Sequence, residues 1–255
     1  MSEKYLRGLR VLVTRPFPEG EVLSNKIRAA GGDAHHLPTI TIVPDKIHFA
    51  GQYDWLIFVS PQAVRASINA IRQQWSQLPA ALRLAAIGSG SARVLNEYGF
   101  HKIIFPHHDP CAASLLALPE FQSVEKQHIA LIQGAGGRTE LFDTLTARGA
   151  QVTPLIAYRR ECPTFDDHWV HCAAALMDHS INAIVVTSTE GLQNFIYGLE
   201  ADLLNNVYSV PLVVVSPRIA KHAHQLGFQK ILLAENAGHN AIMSVLSVLS
   251  GREVQ

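Results

Sequence analysis

Neither sign of charge prevails in this chain: lysine plus arginine and aspartate plus glutamate each total 21 of 255 residues. No basic field is present to grip phosphate backbones or anionic lipid, so neither nucleic acid nor a membrane is an expected partner. Cysteine is scarce. Cys111, Cys162 and Cys172 are odd in number and form no CxxC pair, which excludes a disulfide framework and a zinc ribbon and fits a reducing cytoplasm. Long apolar runs are missing too. The best are short bursts such as Ala183 to Val186, far from the roughly 18 residues that a membrane span needs. Behind the charged start, with Glu3, Lys4, Arg7 and Arg10, there is no signal-peptide stretch, so secretion is not expected.

The usual catalytic fingerprints are also absent. Gly134-Ala-Gly136-Gly137-Arg138 begins like a dinucleotide loop, but the third glycine position of GxGxxG falls on Thr139, and Gly88-x-Gly90 fails in the same way at Arg93. No GxxxxGK[ST], GxSxG or HExxH occurs. The thirteen histidines form no chelate by spacing: His222 and His224 are two apart on a helical stretch and face different ways, while His35-His36 and His107-His108 are adjacent. No metal and no cofactor is expected.

What is present is a globular composition, 48% hydrophobic and 16% charged, in a length that suits two modest domains. Short apolar strands alternate with amphipathic helices. Leu9 to Thr14, Glu19 to Ala30, a Gly31-Gly32 stop and a strand near His35 make one βαβ unit. His128 to Gln133, Arg138 to Ala147, Gly149 and Gln151 to Ala157 make another. The likeness continues at a fixed offset of 128 residues: Leu84 to Phe105 aligns with Leu212 to Leu233, both holding Gly-Phe-x-Lys-Ile, and Phe58 to Val64 aligns with Val186 to Leu192. One α/β half is thus written twice, at about 9 to 120 and 128 to 250. The fold expected is α/β, with two similar domains that each hold a parallel sheet flanked by helices. Ligands of such sheets sit beyond the carboxyl ends of the strands.

At those ends the strands run into helices through small or hydroxylated residues: Thr14-Arg15-Pro16, Ser60-Pro61-Gln62, Gly88-Ser89-Gly90-Ser91, Gly134 to Arg138 with Gly136 inside it, Thr187-Ser188-Thr189 and Ser216-Pro217-Arg218. The first turn of a helix has unpaired N–H groups and partial positive charge, so six such junctions suit a polyanionic ligand. Taken singly, a Ser or Thr there is an ordinary N-cap. One further residue invites chemistry. Tyr158 ends a strand where the domains would divide, and a phenol can donate a proton to a leaving hydroxyl; an aromatic at that place can equally be packing.

In order and spacing, nearly the whole chain from Leu9 to Leu249 resembles the uroporphyrinogen-III synthase family. The carriers are Val11-Leu-Val-Thr-Arg-Pro16, Phe58-Val-Ser-Pro-Gln-Ala-Val64, Ala86-Ile-Gly88, Thr146 to Val152 leading to Tyr158, Val185-Val-Thr-Ser188, Val214-Val-Ser216 and the closing Asn240 to Leu249 stretch. The resemblance implies a cyclising hydro-lyase of haem biosynthesis that acts on hydroxymethylbilane without a cofactor. It implies a discontinuous domain of residues 1–37 and 163–255, a second of 41–157, and a two-stranded linker at 38–40 and 158–162, with substrate between the domains. Tyr158 would be the acid. Thr14, Arg15, Ser60, Gln62, Ser89, Ser91, Gly136, Arg138, Thr187, Ser188, Ser216 and Arg218 would hold the carboxylates. A monomer is expected, with transient hand-over from hydroxymethylbilane synthase. The chain departs from the family pattern at Gln62, Arg218 and Ile219. Two rivals share the sheet type: a non-catalytic two-domain binding or sensor protein for a polycarboxylate, and a nucleotide-dependent oxidoreductase, which should bring a complete glycine fingerprint.

Overall fold

The computed structural model describes residues 4–137, 139–164, 167–178 and 180–251. The chain divides into two compact units, Met1–Ile42 with Glu161–Gln255, and Val43–Arg160.

The first unit opens with β1 (Arg10–Val13), α1 (Glu19–Ala29) and β2 (Asp33–His36). Helix α1 follows the macrodipole rule, with Glu19 and Glu21 in its first turn and Lys26 and Arg28 in its last. The chain returns to this unit as α6 (Asp167–Met177), β9 (Ala183–Val186), α7 (Thr189–Tyr197), α8 (Ala201–Ser209), β10 (Leu212–Val214), α9 (Pro217–Leu226), β11 (Ile231–Leu233) and α10 (His239–Leu249). The sheet runs β11-β10-β9-β1-β2, with parallel pairing throughout. Strands β9 and β10 are buried at every position, as a sheet covered on both faces requires. Alternation along the strands sorts the core into two. Leu12, Ile184, Val186, Leu212 and Val214 pack with Leu192, Phe195 and Ile219 of α7 and α9, whereas Val11, Val13, Ala183, Val185 and Val213 pack with Leu23 and Ile27 of α1 and Ile242 and Leu246 of α10.

The second unit holds β3 (Thr41–Pro44), whose first residues straddle the division, then β4 (Trp55–Phe58), α2 (Pro61–Gln74), β5 (Arg83–Ala86), α3 (Ser89–Glu97), β6 (Ile103–Ile104), α4 (Ala112–Leu116), β7 (His128–Gly134), α5 (Glu140–Ala147) and β8 (Gln151–Glu161). Its sheet order is β3-β8-β7-β4-β5-β6. Trp55, Ile57, Ile129 and Leu131 meet Leu115, Phe121, Leu141 and Leu145 on one face.

Apart from the added edge strand β3, the two sheets have the same order, with β8-β7-β4-β5-β6 matching β2-β1-β9-β10-β11. The repeated sequence therefore does not coincide with the compact units. Each written half gives its leading βαβ to one sheet and its three trailing strands to the other. The repeated Gly-Phe-x-Lys-Ile marks the same event in both sheets: Gly99 and Gly227 end α3 and α9 at positive φ, 87° and 107°, a conformation that glycine adopts without steric cost.

Two boundaries differ from the sequence reading. The strand expected to end at Ala157 continues to Glu161, so Tyr158 stands within β8 rather than at its end. The polar tail Arg159 to Glu161 reads as loop by composition, yet the strand goes on beside β3: the Asp45 N–H donates to Ala157 O at 2.8 Å, and Arg159 lies 3.4 Å from Asp45. The helix expected from Arg138 is seen from Glu140, and Arg138 itself lies outside the described residues.

Candidate active site

In the second unit the junctions that follow β4, β5 and β7 lie along one edge, at the carboxyl ends of adjacent parallel strands. Each is shaped locally. Ser60 has the extended backbone of an N-cap (φ −160°, ψ 160°), Pro61 opens α2, and the Ser60 hydroxyl accepts the Ala63 N–H at 3.0 Å. Gly88 caps α3 with no side chain, Ser89 is exposed and Ser91 buried. A β-carbon on Gly90 would stand 3.6 Å from the Pro61 ring, so the starts of α2 and α3 are neighbours. Gly136 takes φ +70° with open space where a side chain would be. Gln62 is the second residue of α2.

Tyr158 joins this edge from β8. The β7–β8 register slips after Gln133, which faces Ile156, so that Gly134 faces Tyr158 and Ala157 is skipped. The Ala135 N–H donates to Tyr158 O at 2.9 Å. The ring lies over Gly134, only 6% exposed, and its hydroxyl is 3.3 Å from Ser60 Oγ. A hollow of about 290 Å³ lined by Val59, Ile87, Cys111, Gln133, Glu140 and Leu141 among others opens on the face of the sheet that packs against α4 and α5, and neither Tyr158 nor Ser60 lines it. The arrangement can offer a phenolic proton at the junction between β4 and α2.

The first unit gathers Thr14, Arg15, Thr187, Ser188, Ser216 and Arg218 at the corresponding ends of β1, β9 and β10. Here several groups are engaged within the protein. The Thr14 hydroxyl donates to Val185 O at 2.9 Å, and Thr14 O accepts from the N–H and hydroxyl of Thr39 at 3.1 and 3.2 Å. Ser188 accepts the Gly191 N–H at 2.9 Å and Ser216 the Ile219 N–H at 3.4 Å, so both act as N-caps. Thr187 is half-buried and Arg218 exposed. Arg15 donates from Nη1 to Ala237 O at 2.9 Å, and the His36 ring N–H donates to Arg15 O at 2.8 Å.

Around Arg15 the sequence reading missed a cluster. His239, at the start of α10, has Nε2 at 3.3 Å from Glu19 Oε2, close enough for ion pairing but not aligned as a hydrogen bond. Burial lowers the Arg15 pKa from its usual value, with Glu19 opposing. Burial also lowers the His239 pKa, Arg15 lowers it further and Glu19 opposes. Residues 15, 19 and 239 come together only because β1 and the start of α10 meet in space, a proximity that no local spacing encodes. Among the described residues, no three of His, Cys, Asp or Glu group as a metal site would need, and no helix is long and apolar enough to cross a membrane.

Comparison with known proteins is consistent across sequence and structure. The family model described as uroporphyrinogen-III synthase HemD matches residues 21–244. The uroporphyrinogen-III synthase of Escherichia coli (strain K12) is 34% identical over 251 residues, covering 93% of this chain and 100% of that protein. That of Salmonella typhimurium is 31% identical over 250 residues, covering 93% and 100%. Among solved structures, uroporphyrinogen-III synthetase from Helicobacter pylori superposes with a TM-score of 0.61 at 13% identity, covering 96% of this chain and 100% of that one. A mutant uroporphyrinogen III synthase from the extremely thermophilic bacterium Thermus thermophilus gives 0.56 at 16% identity, covering 94% and 98%. At those identities the structural likeness is one of fold.

Proposed function

The chain belongs to the uroporphyrinogen-III synthase family, and from that premise we infer that it closes hydroxymethylbilane, a linear tetrapyrrole, into uroporphyrinogen III with inversion of ring D. The observation that carries this is the match along the full length of the Escherichia coli enzyme. The reaction is a cyclising dehydration. The ring-A C–O bond breaks, the hydroxyl takes a proton and leaves as water, and the pyrrole nitrogen lone pair makes the azafulvene. The substituted α-carbon of ring D attacks to give a spiro intermediate, which fragments and recloses through the other α-carbon, and loss of a proton restores the pyrrole.

An electron-rich pyrrole supplies its own driving force, so the protein has two tasks: to protonate the leaving group and to hold both ends of the chain together. Tyr158 is our candidate for the first, supported by its hydroxyl lying 3.3 Å from Ser60 Oγ at the junction that follows β4. For the second we propose the junctions in each unit: amides and hydroxyls around Ser60, Gln62, Ser89, Ser91, Gly136 and Arg138, and around Thr14, Arg15, Thr187, Ser188, Ser216 and Arg218. A neutral net charge favours amide grip over a Lys/Arg field. The enzyme is proposed to work as a cytoplasmic monomer that receives its substrate by transient hand-over from hydroxymethylbilane synthase.

The test is enzymatically generated hydroxymethylbilane with purified protein, the I and III isomers being separated. Isomer III is expected, and isomer I alone at the spontaneous rate would overturn the reading. In the same assay Tyr158→Phe should retain its melting temperature and product affinity but turn over about 10²-fold more slowly, the lower end of general-acid effects, because an azafulvene forms readily. Unchanged melting and unchanged turnover would remove Tyr158 from the mechanism.

A further inference from the structure

We propose that Gly134 and Ser60 are positioning residues for the Tyr158 hydroxyl, Gly134 as the floor under its ring and Ser60 as the donor that steadies its oxygen; this rests on Tyr158 being the acid. A β-carbon on Gly134 would stand 2.6 Å from Tyr158 Cζ, 2.8 Å from Cε2 and 2.9 Å from Oη, closer than real β-carbons approach. Something must give, and what can give is the far end of a side chain rather than backbone. Gly134 is not at a positive φ, so its backbone accepts any residue. The glycine is therefore dispensable to the sheet and necessary to the ring: alanine there leaves β7 intact and pushes the hydroxyl off its place. Elsewhere along this edge a different cause applies. At Gly88 the added atom would meet Pro110 Cβ at 2.4 Å, which concerns chain packing and no reactive group.

Ser60 supplies the second restraint. Its oxygen accepts the Ala63 N–H, which leaves its own proton free to donate across 3.3 Å to Tyr158 Oη. With Ser60 as donor, the phenolic proton points away from Ser60 and is available to the leaving hydroxyl. When that proton departs, the Ser60 hydroxyl, itself polarised by the Ala63 N–H in the first turn of α2, donates to the oxygen that has gained charge.

Steady-state assays of Gly134→Ala, Tyr158→Phe and the double variant test this. Gly134→Ala should melt like the parent, keep KM and lose on the order of 10²-fold in kcat, as misplacement by about 1 Å can cost. The double variant should be no slower than Tyr158→Phe alone, since both changes remove the same contribution. Full kcat in Gly134→Ala, or losses that multiply in the double variant, overturn the proposal. Should Gly134→Ala fail to fold, Ser60 decides: Ser60→Gly keeps most of the cap and should lose about tenfold in kcat, one charge-assisted hydrogen bond, with Ser60→Thr restoring it. Parental kcat in Ser60→Gly then overturns it. The ¹³C ring signal of labelled Tyr158 gives a reading independent of turnover. A signal unmoved by Gly134→Ala refutes the positioning; a moved signal with fully active Tyr158→Phe refutes the acid role instead.

Discussion

At the scale of single residues, the cluster around His239 makes a prediction about pH. Its folded pKa lies below the usual value of 6.5, first through burial and then through Arg15. The unfolded chain therefore binds the proton more readily than the folded one, and stability rises with pH wherever that difference operates. The contribution is present above the unfolded pKa and is lost as pH falls from there through the folded pKa. Melting temperature followed from about pH 8 to about pH 5 should show this fall in the parent and a shallower one in His239→Gln. Equal slopes would mean that other groups govern the acid limb. None of this was legible from the sequence, because Arg15, Glu19 and His239 do not share one local stretch of it. The Tyr158 site was half legible. The residue type and its neighbourhood could be read, but not its two partners: a register slip that skips Ala157 changes which residue faces Gly134, and β-alternation carries no trace of it.

For the elements, the sequence was a good guide where burial is complete. Strands β4, β9 and β10, apolar at every position, admit no other reading in a chain of alternating helices. It failed at β8, where Arg159, Arg160 and Glu161 carry no burial signal and the strand persists through edge pairing with β3. The junctions were legible as helix starts but ambiguous in purpose, since the same hydroxyl can cap a helix or touch a ligand. Ser188 and Ser216 are caps in the structure, with bonds of 2.9 and 3.4 Å. Ser188→Ala should accordingly cost about 1 kcal/mol in urea unfolding and Ser216→Ala less, its bond being long. A loss of product affinity with no loss of stability would show that the hydroxyl serves the ligand instead.

For the whole molecule, the sharing of strands between the two written halves has a consequence for independence. The Val43–Arg160 unit is a single continuous stretch with its own core. A fragment of residues 41–161, which keeps β3 and β8 whole, should fold alone, giving a cooperative thermal transition and dispersed amide NMR signals; a featureless melt would show that it depends on the other unit. Residues 4–42 cannot do likewise, since β1 draws its neighbour β9 from across the chain: the Thr14 hydroxyl reaches Val185, 171 positions later. Synthesis on the ribosome thus meets the two units out of order. Strand β1 waits with only β2 beside it while the unit encoded after them is completed, and their own sheet closes only when β9 to β11 follow. Residues of β1 are made before the Val43–Arg160 unit yet sheltered after it, and in that interval Val11, Leu12 and Val13, all fully buried at the end, are open to chaperones and to other nascent chains.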